Sequence, residues 1–222
     1  MRIRRFWARS GIPGTIATSS YDAANQQLVF GPVTQSFDPN GNVLTQTDAS
    51  GTTSYTWDGR NRLIGISGPT VRASFNYDAL GRRISKTING QATGFQYDGL
   101  DIVQGFGGGG GANYLRTLAI DEALMRTDAD GSVSYLADAI GSTVSLADSN
   151  GTLSTEYTYA PFGETAISGL PSPNPFQFTG RENEGTGLYY FRARYYSATL
   201  SRFLAEDPRG LAGGTTPSLW GH

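Results

Sequence analysis

An aromatic residue followed by aspartate recurs through the first half of the chain at a fixed interval. From residue 37 onward these pairs are spaced 20 residues apart, and the text around them recurs as WDGRNRL, YDALGRRI and YDGL. The pairs are Tyr21-Asp22, Phe37-Asp38, Trp57-Asp58, Tyr77-Asp78 and Tyr97-Asp98. A regular period is typical of repeat proteins, in which each unit buries its surface against the next unit. We therefore predict a tandem array of small units.

The residues between the pairs alternate in character, as expected for β-strands. Arg83–Ile88 and residues 93–97 flank Asn89-Gly90, which suits a type I′ hairpin turn because both residues tolerate positive φ. The same turn chemistry is predicted at Asn40-Gly41, Asp58-Gly59, Asp98-Gly99, Asp130-Gly131 and Asn150-Gly151. We predict an all-β fold of tandem β-hairpins, in which each 20-residue unit contributes two strands and two turns.

The composition excludes several classes of protein. With 30 Gly and 10 Pro among 222 residues, long helices are interrupted, which disfavours a helical bundle. A net charge of −2 leaves no basic excess for an extended nucleic-acid face. The sequence has no cysteine and its one histidine is His222, which excludes disulfides, a histidine-based triad and a multi-histidine metal site. No apolar run approaches the ~20 residues that span a bilayer, and the basic residues 1–11 lack the apolar segment of a secretory signal.

Shifts in composition divide the chain into six segments. They are a basic leader at 1–20, hairpin repeats at 21–105, a glycine-rich loop at 106–112, further hairpins with a proline-rich crossing at 113–175, an aromatic and arginine-rich segment at 176–214, and a tail at 215–222. Within the fourth segment, strands are predicted at 113–120, 132–136, 142–146 and 152–159. Residues 167–175 carry three prolines, which cannot donate to a sheet ladder, and are predicted to cross over in an extended conformation.

The segment FQFTGRENEGTGLYYFRARYYSATLSRFLAEDPRGLAGG, residues 176–214, resembles the RHS repeat-associated core of bacterial RHS and YD-repeat proteins. Residues 137–164 resemble the segment that precedes this core, and the aromatic-Asp-x-x-Gly-Arg units resemble YD repeats. The repeat-motif residues are Trp57, Asp58, Tyr77, Asp78, Gly81, Arg82, Tyr97 and Asp98. The core-motif residues are Gly180, Arg181, Gly187, Tyr189, Tyr190, Arg192, Arg194, Tyr195, Arg202, Phe203, Asp207, Pro208 and Gly210.

The resemblance implies a curved, spiralling antiparallel sheet that forms a hollow shell around a C-terminal effector, in a secreted or cell-surface protein. It implies a structural rather than enzymatic role, with upstream shell repeats and the effector as partners in a longer parent protein, and no cofactor or metal. The chain departs from the family pattern at Ser197-Ala198 and Ser201, and it lacks the second Asp-Pro-x-Gly-Leu motif at which the family cleaves itself. We therefore expect a C-terminal fragment of such a shell, whose unpaired edge strands favour self-association.

Asp207 is the one candidate for acid-base chemistry, in an aspartyl-protease-like self-cleavage. Such a mechanism needs two carboxylates that share a proton. The adjacent Glu206 is expected to point to the opposite face of an extended strand. The favoured alternative is that Asp207 is a turn residue before Pro208.

The remaining candidates also have structural alternatives. The core arginines and their interleaved aromatic residues could bind carbohydrate, but we favour ion pairs and ring contacts within the shell wall, with Arg192 and Arg194 on one strand face. The repeat aspartates are predicted to cap turns rather than bind calcium, and the repeat aromatics to stack as a ladder. The five glycines at 107–111 lack the Gly-Lys-Ser/Thr ending of a phosphate loop.

Overall fold

The computed structural model describes residues 16, 18–107, 110–119 and 121–207. Most of the predicted basic leader lies outside this range, as do Pro208, Gly210 and the tail. The first sheet contains β1 (Ser19–Tyr21), β2 (Gln27–Phe30), β3 (Val33–Phe37), β4 (Val43–Asp48), β5 (Gly51–Trp57), β6 (Leu63–Ser67), β7 (Arg72–Tyr77), β8 (Arg83–Ile88), β9 (Gln91–Asp98), β10 (Asp101–Gly107), β11 (Ala112–Arg116), β12 (Ala123–Asp128), β13 (Gly131–Ala137), β14 (Thr143–Ala147), β15 (Leu153–Tyr159) and β16 (Thr165–Gly169). The second contains β17 (Glu182–Asn183), β18 (Leu188–Phe191), β19 (Arg194–Ser197) and β20 (Arg202–Phe203), and a 3₁₀ turn at Phe178–Gly180 precedes it.

The first sheet, called the repeat sheet below, is a continuous meander. Its 16 strands pair antiparallel in chain order, and β1 and β16 form its two edges within the described residues. The all-β fold of tandem hairpins is therefore as predicted. The β8–β9 turn also has positive φ at both central residues, 48° at Asn89 and 84° at Gly90, as the Asn-Gly pair predicts.

Several predicted boundaries in the second half were wrong. Strand β11 ends at Arg116 rather than at residue 120, and the glycine-rich loop is shorter than predicted because β10 runs to Gly107 and β11 begins at Ala112. The predicted extended crossing at 167–175 begins with residues that belong to β16, whose backbone pairs with β15 as far as the Thr155–Gly169 pair. The prolines follow this pairing, so only residues 170–175 cross over without a strand.

The turns that follow odd-numbered strands all lie at one end of the repeat sheet, called the rim below. At several of them one aspartate oxygen holds the loop: Oδ1 of Asp58 accepts the backbone N–H groups of Arg60 and Arg62 at 2.9 and 3.0 Å. Equivalent bonds form at Asp22, Asp38, Asp78 and Asp138. These turns are longer than the two-residue turns predicted at Asn40-Gly41 and Asp58-Gly59, because the aspartate side chain replaces a backbone acceptor. Asp98 instead starts a two-residue turn that ends at Asp101.

The second sheet, called the core sheet below, packs against one face of the repeat sheet. Its buried residues Leu188, Tyr190 and Tyr195 form one cluster with Leu200 and Leu204 beside β20 and with buried residues of the repeat sheet. The latter are Val33, Val43, Tyr55, Leu63, Ile66, Ala73 and Phe75. The C-terminal segment therefore covers the inner face of the repeats that precede it.

Contacts at the two ends of the rim show that the repeat sheet is strongly curved. The Tyr196 hydroxyl donates to the carbonyl of Phe162 in the last rim turn, and Arg202 donates to the carbonyl of Asn25 in the first. Tyr196 and Arg202 lie on paired strands of the core sheet. Sixteen strands laid flat would extend over roughly 70 Å at ~4.8 Å per strand. The repeat sheet must therefore curl around the core sheet at its rim.

Candidate functional site

The aromatic residue of each repeat connects that repeat to the preceding one. Trp57 Nε1 donates to the carbonyl of Val43 at 2.8 Å, the Tyr77 hydroxyl to that of Leu63 at 2.7 Å, and the Tyr97 hydroxyl to that of Arg83 at 2.9 Å. In each case the acceptor lies 14 residues earlier. Burial raises the pKa of Tyr77 to about 12, so this phenol remains a donor at neutral pH.

Arginines of the repeats alternate with these rings, which corrects the predicted ladder of stacked aromatics. The Arg62 guanidinium lies 4.9 Å from the Tyr77 ring centre, and that of Arg82 lies 5.2 Å from Tyr97. Among the described residues, no direct ring pair joins the three repeat aromatics. A 20-residue offset separates equivalent rings by two strands, or ~10 Å, and an arginine fills that gap.

The same arginines fasten successive rim turns together. Arg82 Nε donates to Oδ2 of Asp78 at 2.7 Å, while its Nη1 donates to the carbonyl of Gly99 in the next turn at 2.9 Å. The hydrogen bond from Arg82 lowers the pKa of Asp78, with help from backbone N–H groups. Gly81 has a φ of 85°, which favours glycine. Each residue of the aromatic-Asp-x-x-Gly-Arg motif thus has a structural task.

A buried ionic cluster, called the seam cluster below, joins the core sheet to the repeat sheet. Arg83 on β8 is fully buried. Its Nη2 lies 2.7 Å from the carboxylate of Glu182, and its Nη1 lies 2.7 Å from the carboxylate of Glu184. Lys86, also on β8, approaches Glu184 at 3.0 Å. The Arg83 guanidinium lies 4.0 Å from the centre of the Tyr190 ring. Two cations on one strand therefore face two carboxylates on the core segment, with no net charge among the four.

The two carboxylates of the seam cluster differ in their electrostatic environment. Burial raises the pKa of Glu182, since desolvation of its charge outweighs the attraction of Arg83. Burial acts in the same direction on Glu184, but the charges of Arg83 and Lys86 outweigh it and lower the pKa of that carboxyl. Desolvation would lower the pKa of Arg83, but the two carboxylates raise it well above its usual value. The Arg83–Glu184 pair therefore stays ionised at neutral pH.

The four core-motif arginines contact different parts of the protein. The prediction that Arg192 shares a strand face with Arg194 was wrong. Arg192 lies in the β18–β19 turn and has a φ of 59°. Its Nη2 lies 3.0 Å from Asp101 and 2.8 Å from Asp121, in two successive rim turns. Arg181 also pairs with Asp121, and Arg202 reaches the first rim turn. These side chains fasten the core sheet to the rim.

Aromatic residues of the core segment are also internal. Tyr189, Tyr190, Tyr195 and Tyr196 are each at most 4% exposed. The Tyr189 hydroxyl donates to the carbonyl of Gly163 at 3.1 Å. Rings buried to this extent do not offer a stacking surface to a carbohydrate.

Glycines place the core segment close to the rim. Gly180 has a φ of 69°, and a Cβ atom there would lie 2.6 Å from the carbonyl oxygen of Asp121. Gly187 also has a positive φ, of 83°.

Asp207 lies at the surface beside the core sheet. Its Oδ2 is 3.0 Å from Nη2 of Arg194, and 44% of its side chain is exposed. The Arg194 guanidinium in turn lies 3.8 Å from the centre of the Phe203 ring. The Glu206 side chain instead approaches Gly41 in a rim turn. The structure thus directs the two adjacent acidic residues to different partners.

The described part of the chain has neither a cluster of metal ligands nor a membrane-spanning helix. No group of three or more His, Cys, Asp or Glu residues there is arranged to hold a metal ion. The same residues also contain no helix long and apolar enough to cross a membrane.

Sequence reasoning missed the seam cluster. Its partners are about 100 residues apart in the chain, as the 101-residue separation of Arg83 and Glu184 shows. One signal was available: YDALGRRI carries an arginine where WDGRNRL has Leu63, and a charge at a predicted core position requires a buried partner.

The chain is similar to a family model and to segments of longer proteins. Residues 37–70 match the family model described as RHS Repeat. The tRNA3(Ser)-specific nuclease WapA of Bacillus spizizenii is 30% identical over 200 residues, which cover 86% of this chain and 8% of that protein. The double-stranded DNA deaminase toxin A of Burkholderia cenocepacia is 28% identical over 233 residues, which cover 87% and 16%.

A solved structure of the Photorhabdus luminescens Tc holotoxin pore contains the same fold. It matches 84% of this chain with a TM-score of 0.59 and 20% identity, over 10% of that chain. The present chain thus spans only a small part of each of these proteins. The YD-repeat motif, the core motif, the RHS Repeat match and the similarity to toxins of this type agree. The comparisons therefore support the assignment of this chain to the RHS family of YD-repeat proteins.

Proposed function

We propose that this chain forms a wall segment and the closing cap of an RHS shell that encloses an effector within a longer protein. The repeat sheet is the wall, and the core sheet is the cap that fills the curve of the wall at its rim. The role is structural, because the side chains that suggested catalysis or ligand binding are used in contacts within the protein: Arg192 pairs with the rim, and Asp207 pairs with Arg194 of the cap. The effector and the upstream repeats are the partners expected in the parent protein.

The observation that carries this proposal is the set of contacts between the core sheet and the whole rim. The core segment contacts the first rim turn through Arg202, middle turns through Arg192, and the last through Tyr189 and Tyr196. The seam cluster anchors its centre to β8. A segment attached around the rim in this way holds the curvature of the sheet and blocks one end of the space that the sheet surrounds.

A segment exchange tests the proposal. This chain replaces the matching segment of the Burkholderia cenocepacia toxin, which is 28% identical to it. If the chain is a wall and cap, the hybrid protein should resist trypsin to the same extent as the unaltered toxin. Intact-mass analysis of the digest identifies which parts of the hybrid stay protected.

The matched control carries Arg83→Glu, which places a negative charge against two buried carboxylates and should release the cap. That hybrid should become sensitive to trypsin beyond the exchanged segment. Circular dichroism of the exchanged chain on its own establishes that it has folded. A folded chain whose hybrid is digested throughout would contradict the proposed role.

A further inference from the structure

Large apolar side chains occupy the tips of five successive rim turns, those after β7, β9, β11, β13 and β15. They are called the tip residues below and are Leu80, Leu100, Leu118, Ile140 and Phe162. Each is 41% or more exposed, and none belongs to a buried cluster of the described residues. The equivalent positions of the first three rim turns carry Ala24, Asn40 and Arg60. Turns favour Gly, Pro, Asn, Asp and Ser, so neither turn geometry nor the core explains the row of tip residues.

The N–H groups of these turns are bonded within the turn. Oδ1 of Asp78 accepts the N–H of Leu80 at 2.9 Å, and Oδ1 of Asp138 accepts that of Ile140 at 3.0 Å. The backbone carbonyl of each aspartate also accepts the N–H of the glycine after the tip residue, at 3.1 Å in both turns. An unpaired backbone group is costly in an apolar medium, and a turn whose N–H groups are already bonded avoids that cost.

The spacing of the tip residues does not suit a protein interface. Successive rim turns are two strands apart, which is ~10 Å. Exposed carboxylates lie beside the tips and belong to Asp98, Glu122, Asp138 and Glu164. A stable protein interface buries about 800 Å² per partner around a core that is depleted of charge. The tip residues are therefore separate apolar anchors rather than one continuous docking patch.

The charge of this part of the rim restricts the partner further. Among the described residues, no cation is paired with any of these four carboxylates. Two identical rims placed face to face would bring like charges together, which disfavours a second copy. An anionic lipid surface is disfavoured for the same reason. The outermost charge of a phosphocholine headgroup is a cationic ammonium, which complements the carboxylates.

We propose that the tip residues insert into a lipid surface with zwitterionic headgroups. Each rim turn places one apolar side chain below the headgroups, while the carboxylates stay at the level of the ammonium groups. A fluid lipid surface closes around separate side chains and can meet all five along the curved rim, whereas a straight helix cannot. Binding strength scales with the apolar area removed from water. The inference does not depend on whether the shell encloses an effector.

Sedimentation of the full chain with phosphatidylcholine vesicles tests the proposal. The wild type should bind, and Leu80→Asn combined with Ile140→Asn should bind about tenfold or more weakly, because two apolar anchors are lost. Asparagine already occupies this position in the turn after β3, where Oδ1 of Asp38 accepts the Asn40 N–H at 2.9 Å. The circular dichroism spectrum of this tip variant should therefore match that of the wild type.

The matched control is Leu153→Asn combined with Leu170→Asn. These leucines lie at the end of the repeat sheet opposite the rim, and their exposures of 50% and 65% are comparable with 79% for Leu80 and 51% for Ile140. The control variant should bind vesicles as the wild type does. Added phosphatidylserine should weaken binding of the wild type, and tighter binding would overturn the choice of a zwitterionic surface.

A fluorescent label measures insertion directly and decides the question if the tip variant fails to fold. The chain has no cysteine, so Leu118→Cys and Leu170→Cys each accept a single environment-sensitive nitrobenzoxadiazole label. With phosphatidylcholine vesicles, the label at position 118 should brighten and shift to the blue, and the label at position 170 should not. Equal responses of the two labels would contradict insertion of the rim.

Three further results would overturn the proposal. The first is the absence of vesicle binding by the folded wild type, and the second is an equal loss of binding in the tip and control variants. The third is a dimer in light scattering that the tip variant abolishes and the control variant retains, since it would assign the tip residues to a second copy of the chain.

Discussion

Replacement of Arg83 by methionine is the most direct test of how the core sheet is held. The side chain is fully buried and donates to two carboxylates at 2.7 Å each. Methionine keeps much of the apolar volume of the side chain but removes its charge. Glu182 and Glu184 then remain buried with Lys86 as the one cation of the seam cluster.

The expected magnitude follows from the burial of the pair. Removing one partner of a buried ion pair costs about 3 to 5 kcal/mol, because the other charge stays desolvated without compensation. We expect Arg83→Met to lower the free energy of unfolding by that amount. At a urea dependence of about 2 kcal/mol per molar, the midpoint of unfolding should fall by roughly 2 M.

Equilibrium urea denaturation measures the effect, with far-UV circular dichroism and tryptophan emission, to which Trp57 contributes, as probes. Trp57 is a suitable probe because it packs against the buried cluster shared by the two sheets. The matched control is Arg82→Met in the adjacent position, where the arginine side chain is 29% exposed and pairs with Asp78. Its loss of stability should be much smaller, since exposed ion pairs are screened by water.

A second variant separates charge from packing. Arg83→Met combined with Glu182→Gln removes the carboxylate that has no other cation, since Glu184 keeps Lys86, and should be more stable than Arg83→Met alone. If Arg83→Met and Arg82→Met destabilise the protein equally, the seam cluster does not hold the core sheet. If the double variant is less stable than the single one, the loss comes from packing and the electrostatic reasoning is wrong.

Three further predictions concern the same contacts. Gly180→Ala should lower the melting temperature far more than Gly185→Ala. The two residues have similar positive φ values, 69° and 68°, but of the two only Gly180 would bring a Cβ to 2.6 Å from a carbonyl oxygen. Equal melting temperatures of the two variants would contradict this. The two carboxylates of the seam cluster should respond oppositely to pH. The pKa of Glu184 is lowered on folding, so the stability that it contributes is present above its unfolded pKa near 4.5 and is lost as pH falls. The pKa of Glu182 is raised on folding, so the stability that it contributes is present below pH 4.5 and is lost as pH rises. Urea midpoints from pH 3 to 7 should therefore show Glu182→Gln gaining on the wild type as pH rises and Glu184→Gln falling behind, and parallel curves would refute the assignment. Finally, Asp207→Asn and the wild type should have the same uncut intact mass, because Asp207 is paired with Arg194; cleavage of the wild type alone would instead assign Asp207 to catalysis.

The local architecture could be read from the sequence because its determinants are close together in the chain. The 20-residue period, the alternation of side chains and the Asn89-Gly90 turn each act between neighbouring strands. A meander pairs each strand with the next one, so local signals are sufficient to define its topology. The errors fell where local signals were weak, as at β16, where the prolines follow the last paired residue instead of interrupting the strand.

The way in which the repeats and the core segment meet depends on the tertiary structure. Arg83 reads as one more strand residue in a repeat, and Glu182 and Glu184 read as polar residues of a loop. They meet because the twist of successive strands accumulates and curls the sheet around residues about 100 positions later in the chain. The sequence by itself determined which strands pair, since that choice is made by adjacent residues. The curvature of the whole sheet decided which charges are buried together and which rim turns the core segment reaches.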